Sequence, residues 1–195
     1  MQARALTAIT AVTELQPDPD DTIRALILEG RHRDAIASCA QAHGAVLGRL
    51  CMALVGSQAD ADEAVQETLL RAHRAMATYR AEGTLKAWLC GIARHVCAHV
   101  LETRRRGREL AELVPVPDPG DEGQDRFTNR QRARELRAAL DHLKPSERDV
   151  LALRFVAGLS HREIATACNL DEATARKRIS RALARLRTVM TEKES

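Results

Sequence analysis

Aromatic residues are nearly missing from this 195-residue chain: one Trp, one Tyr and two Phe make up 2% of it, against 45% hydrophobic residues overall. Any core must therefore be assembled from Leu, Val, Ile and Ala, a composition that favours packed helices over sheets. An all-α fold is expected. Long apolar runs are missing too. Charges interrupt every hydrophobic stretch before it reaches the roughly 20 residues that span a bilayer, so no membrane insertion is expected. The cysteines Cys39, Cys51, Cys90, Cys97 and Cys168 are odd in number, form no CxxC pair and follow no secretory-leader pattern. Reduced thiols in a cytoplasmic protein are expected, not a disulfide framework. There is no glycine-rich phosphate loop, no nucleophile spaced with a base and no firm metal-ligand spacing, so neither catalysis nor a metal or other cofactor is expected. A formal charge of +3 excludes little by itself; a nucleic-acid face must be argued from where the 29% charged residues cluster.

The length allows one or two domains, since domains run about 50 to 200 residues. Residues 1–20 end in a Pro- and Asp-rich run without a clear helical period and read as a loose leader. Between Glu109 and Asp125 there are six acidic residues, no basic one, and Pro115, Pro117, Pro119, Gly120 and Gly123. That composition marks a linker, assigned to 108–125. It separates a helical domain at 21–107 from a second at 126–195, each with helical periodicity and neither with strand alternation.

In the first domain, helices are expected over 21–29, 32–43, 45–55, 59–79 and 84–103, with Ser57 and Asp60 as candidate caps for the fourth. On the fourth, Val65, Leu69, Ala72 and Met76 form the expected buried stripe, while Glu63, Glu67, Arg71 and Arg74 face away. Leu70 falls in that polar arc, either as a lone surface leucine or as part of a docking surface. On the fifth, Trp88, Leu89, Ile92, Val96 and Val100 share a face, His95 and His99 lie on its edge, and Cys90 and Cys97 fall on the opposite side. Those four cannot chelate one metal together, and the i, i+4 pairs His95/His99 and Cys39/His43 would each need ligands from elsewhere. Two histidines beside a Trp, followed by Arg104, Arg105, Arg106 and Arg108, suit phosphate binding and base stacking. They equally suit a solvated basic helix end, since cations favour a helix C-terminus.

The second domain is more specific. A helix over 145–156 carries Val150, Leu151 and Phe155 as core and is broken at Gly158. Ser160 and Glu163 have the spacing of a capping box, and Ile164 and Ala165 supply the buried side of a short helix. Asn169 tolerates the left-handed conformation of a tight corner, and Asp171 caps the helix beyond it. From there Ala175, Ile179, Ala182, Leu183, Leu186 and Met190 form one apolar stripe. Lys177 and Arg181 lie farthest from it, flanked by Arg176 and Arg187 on one side and Arg178 and Arg185 on the other. Short helix, corner and basic second helix in this order indicate a helix-turn-helix whose second helix enters a major groove, its first turns touching bases and its flanking arginines holding phosphates.

These residues resemble region four of extracytoplasmic-function sigma factors, through Leu143 to Arg148, Val150 to Arg154, Gly158-Leu159-Ser160, Glu163-Ile164-Ala165 and Glu172 to Arg176 with Arg178, Arg181, Leu186 and Arg187. The first domain independently resembles sigma region two, through Asp60 to Ala72 followed by Trp88-Leu89 and Ile92-Ala93-Arg94. The resemblance implies a non-catalytic subunit that binds core RNA polymerase and directs it to promoter DNA. Asp60, Asp62, Glu63, Gln66, Glu67 and Leu70 would dock on the polymerase. Trp88, Arg94, His95, His99, Arg104 and Arg105 would melt and read the element near the start site, by capturing a flipped base. Ala173, Thr174, Arg176, Lys177, Arg178, Arg181 and Arg185 would read the upstream element as duplex. The acidic linker would thread through the polymerase, and an anti-sigma partner is expected by analogy.

Three positions depart from that family. His95 stands where its members usually carry Asn, His99 where they carry Asp, and Asn169 where they carry the turn Gly. The histidines, with ordinary pKa values near 6.5, suggest pH or metal sensitivity in promoter opening or partner binding. The competing reading is a free-standing helix-turn-helix regulator that senses a ligand or redox state through its first domain, with the cysteines as sensor. Single cysteines buried on helices more often serve packing.

Overall fold

The computed structural model describes residues 18–111 and 138–192, and all regular structure among them is helical. Most of the leader and of the linker lie outside the described residues. Asp18 caps the first helix, α1 (Pro19–Leu28), its carboxylate accepting from the Asp20 N–H at 3.0 Å, and proline occupies the first helical position. The last two leader residues are thus already helical.

Helix α2 (His32–Val55) runs unbroken where two helices were expected. Gly44 and Gly48 cost up to about 1 kcal/mol each relative to Ala, but Cys39, Leu47, Leu50, Cys51 and Val55 are all buried along this rod, and packing outweighs the propensity. Helix α3 (Gln58–Ala75) ends in a 3-10 turn (Met76–Thr78). Its buried stripe is rotated from the expected one: Ala61, Ala64, Thr68 and Ala72 face inward, whereas Val65 and Leu69 are only half-buried. Small residues let α3 lie close to α2 and α4, and the buried Thr68 hydroxyl is satisfied by donating to the Ala64 carbonyl at 2.6 Å. Ser57 holds the N-cap position without a side-chain hydrogen bond.

Helix α4 (Leu85–Ala111) continues through Gly107, past the residue where the linker was expected to begin. It is buried on more than one face: Leu89, Ala93 and Val96 are inside, but so are Cys90 and Cys97 on the side opposite the expected stripe. The reason is the second lobe, α5 (Pro145–Phe155), α6 (His161–Cys168) and α7 (Glu172–Glu192), which packs on α4 through α6 and on α2 through α5. One core cluster therefore spans both lobes, from Ile23 and Leu50 to Leu153, Ile164 and Ala182; Val150 and Leu151 join it as expected, but Phe155, the last residue of α5, points outward and is 64% exposed. Gly91 makes the closest approach possible. A Cβ there would sit 3.1 Å from the Ala167 carbonyl oxygen and 3.4 Å from its Cα.

Candidate nucleic-acid interface

The helix-turn-helix is built by local hydrogen bonds. The Ser160 hydroxyl accepts from the Glu163 N–H at 3.2 Å while the Glu163 carboxylate accepts from the Ser160 N–H at 2.7 Å, closing the capping box. Those contacts, with the Thr84 hydroxyl, hold the Glu163 carboxyl below its ordinary pKa despite its burial. Asn169 turns the corner at φ 52° and ψ 54°, in the left-handed region, and the Leu170 N–H donates to the Ala165 carbonyl at 2.8 Å. Asp171 then caps α7, its carboxylate accepting from the Thr174 N–H at 2.8 Å and the Thr174 hydroxyl at 2.6 Å.

With Ala175, Ile179 and Ala182 buried beneath, Ala173, Arg176, Lys177 and Arg181 are exposed and Arg178 is half-exposed. Lys177 and Arg181 have no ion-pair partner among the described residues. Arg176 pairs with Glu172 at 2.9 Å, and the Thr174 hydroxyl is engaged by Asp171. Arg185, expected at phosphate, instead donates to Glu147 at 2.8 Å. Glu147 is 7% exposed and also accepts from the Lys144 N–H at 3.0 Å, so Arg185 neutralises a buried carboxylate on α5. Sequence reasoning missed this pair. The one signal available was a carboxylate in the first turn of a helix begun by Pro145.

The residues expected at the melted element do not share one face. Trp88 is half-buried against Tyr79, with ring centroids 4.8 Å apart and planes tilted 48°, so the indole is a packing group more than an open stacking platform. Arg94 reaches across the lobes to Asp149 at 3.2 Å, both side chains 17% exposed, and its other amino group lies 2.8 Å from His95 Nε2. Burial pushes the Asp149 carboxyl above its ordinary value, with Arg94 offsetting part of the shift. The same two influences, burial first and the Arg94 charge second, hold the His95 imidazole below 6.5. A second polar tie across the lobes runs from the Thr84 hydroxyl to Glu163 at 2.7 Å.

Arg104 is ion-paired with Asp60 and donates to the Val55 carbonyl, so a residue expected at DNA and one expected at polymerase are brought together. Arg105 pairs with Glu102 at 3.0 Å. His99 is exposed, but it lies across from α3, where it lines a groove of about 340 Å³ with Glu63, Glu67 and Leu70.

The acidic arc on α3 is otherwise as open as its spacing suggested. Asp62, Glu63, Gln66 and Leu70 are exposed, Leu70 by 52%. Asp62 accepts from the Gln58 amide at 2.8 Å, and Glu67 pairs with Arg71 at 2.6 Å, which holds its carboxyl below the usual range. No group of three or more His, Cys, Asp or Glu among the described residues could hold a metal ion, and no helix among them is long and apolar enough to cross a membrane. His43, one of the possible chelators, is bonded to Asp20 at 2.8 Å.

These features define a two-lobed helical protein whose second lobe carries a helix-turn-helix. The model of the Sigma-70 region 2 family matches residues 39–107 and that of Sigma-70 region 4 matches 133–186. The ECF RNA polymerase sigma factor SigG of Mycobacterium tuberculosis is 35% identical over 71% of this chain and 44% of its own length. SigC of the same species is 32% identical over 67% and 70%, and EcfG of Rhodopseudomonas palustris is 31% identical over 74% and 78%. The chain belongs to the ECF sigma factors of the sigma-70 family. It spans less than half the length of SigG. Two solved structures share the fold. CnrH in complex with the cytosolic domain of CnrY superposes with TM-score 0.65 and 22% identity over 90% of this chain and 99% of that one. RpoE with the anti-sigma factor NepR from Bartonella quintana gives 0.54 and 24% over 88% and 98%.

Proposed function

We propose that this protein is a transcription initiation factor: it binds core RNA polymerase and directs it to specific promoters, contributing no catalysis of its own. The observation that carries the reading is the conjunction, in one chain and in this order, of a region-2 lobe with an open acidic arc and a region-4 lobe with a complete helix-turn-helix. In this reading Asp62, Glu63, Gln66, Glu67 and Leu70 form the polymerase seat, with Asp60 fixed at its edge by Arg104. Lys177 and Arg181, exposed and without acidic partners among the described residues, read bases of the upstream element, and Arg176 and Arg178 flank them at phosphate. Arg94 and His95 serve the melted element near the start site. The acidic linker that follows α4 joins the two lobes, polymerase and promoter imply a cytoplasmic location, and an anti-sigma factor is its regulator, as NepR is bound to RpoE in the neighbouring structure.

The test is run-off transcription with purified core polymerase on a genomic promoter library, with and without this protein. Specific transcripts that require the protein are expected. If no holoenzyme forms on size exclusion and no promoter is selected, the reading fails.

A further inference from the structure

We propose that His99 belongs to the surface that receives core RNA polymerase, as a specificity-determining residue of the docking groove, and that it makes no contact with promoter DNA. The inference rests on the polymerase-binding reading above and reassigns one residue within it.

The groove lies between α3 and α4. Glu63, Glu67, Leu70 and Arg71 form one wall, and His99 with Val100 forms the other. Position on the helix separates His99 from the DNA side. Arg94, whose guanidinium turns toward Asp149 and the second lobe, lies five residues earlier, about 140° around α4 at about 100° per residue. Charge separates it further. A phosphate brought to His99 would meet the Glu63 and Glu67 carboxylates on the facing wall, whereas Arg71 neutralises only Glu67. Glu63 has no ion-pair partner among the described residues, and Asp62 beside it is met only by an uncharged amide. Although Arg74 adds to the field on Glu67, the lining side chains Glu63, Glu67 and Arg71 leave one net negative charge, so the groove disfavours phosphate and suits a cationic side chain.

The occupant is therefore a segment of core polymerase that presents a basic residue to Glu63 and apolar groups to Leu70 and Val100. The groove is continuous with the acidic arc already assigned to that partner. At its rim, the His99 ring extends the Val100 wall and offers a nitrogen for hydrogen bonding. The aspartate usual in the family at this position would instead add a third carboxylate beside Glu63 and Glu67. The histidine thus changes which polymerase surface fits.

The experiment measures two quantities on full-length protein: the Kd for purified bacterial core RNA polymerase by fluorescence anisotropy, and open-complex formation by permanganate reactivity at saturating core. His99→Ala is expected to raise Kd at least about fivefold, the size of an ordinary interface contact below the hot-spot range, with wild-type promoter opening once core is saturating. His99→Gln, which keeps a hydrogen-bonding group, recovers part of the affinity. Because His99 is exposed, the thermal midpoint should not move. A His99→Ala protein with wild-type Kd and defective opening overturns the proposal and returns His99 to the DNA face. Glu63→Ala and Leu70→Ala separate the two levels. If both weaken core binding and His99→Ala does not, only the present inference fails; if neither does, the docking reading fails with it.

Discussion

Substituting Gly91 by leucine should separate the two lobes while leaving each folded. A β-carbon at this position already lies 3.1 Å from the Ala167 carbonyl oxygen, and backbone cannot swing aside as a flexible side chain would, so a leucine side chain has no place between α4 and α6. Overpacking of this kind costs about 1–3 kcal/mol. The polar ties resisting it are the Arg94–Asp149 pair and the Thr84–Glu163 hydrogen bond. Hydrogen bonds to charged groups contribute about 1.5–3 kcal/mol each, but the upward shift of the Asp149 carboxyl shows that burial cancels part of the first. The wedge is thus comparable with either polar tie alone, and it also disrupts the apolar α4–α6 contact that holds the lobes together; Gly91→Ala should act in the same direction with less force. Small-angle scattering would read the outcome as a radius of gyration larger in Gly91→Leu than in wild type, with helix content by circular dichroism retained. Separation also exposes Arg94, so the variant should bind a pre-melted promoter fragment more readily than wild type. A Gly91→Leu protein with the wild-type scattering profile would refute the close-packing argument.

Arg185→Ala should lower the stability of the second lobe by about 1–2 kcal/mol, the charged hydrogen-bond value discounted because Arg185 is nearly half exposed, since it leaves the buried Glu147 carboxylate without its cation. Calorimetry should then show a fall of several degrees, on the scale of about 4–8 °C per kcal/mol for a small domain, whereas Lys177→Ala should alter promoter choice at unchanged stability; equal midpoints for the two variants would count against the pairing. His95 should titrate below 6.5 by NMR. Its depressed folded-state pKa gives a stability contribution present above 6.5 and lost as the pH falls below that value, because the unfolded chain takes up the proton first; a midpoint at or above 6.5 would contradict the combined effect of desolvation and the Arg94 charge. Cys39 and Cys90, buried and pushed up to about 11 and about 12, should resist a disulfide-exchange reagent at pH 8, as should the buried Cys51 and Cys97, with half-buried Cys168 reacting first. Fast reaction of two or more thiols in the native protein would revive a redox-sensing role.

What could be read from the chain divides by the distance over which each contact acts. The capping box at Ser160, the left-handed Asn169 and the Asp171 cap involve partners within three or four residues, and each was legible because its chemistry is complete within one helical turn. Helix ends and faces set by packing were not: α2 runs through Gly44, the α3 stripe turns toward its alanines, and α4 is buried on opposite sides. Those outcomes depend on which neighbours arrive, above all on the second lobe docking over Gly91. The candidate site suffered in the same way. Counting basic residues cannot reveal that Arg94 finds Asp149 at a separation of 55 residues, or that Arg185 finds Glu147 at 38. Such pairs remove cations from the surface available to phosphate, so the basic content of a helix overstates its DNA face. On α7, Arg176 and Arg185 each have a carboxylate within 2.9 Å, while Lys177 and Arg181 keep their positions opposite the buried stripe with no ion-pair partner among the described residues. If the proposed reading holds, these two charges, one helical turn apart, are free to engage a duplex without giving up an ion pair.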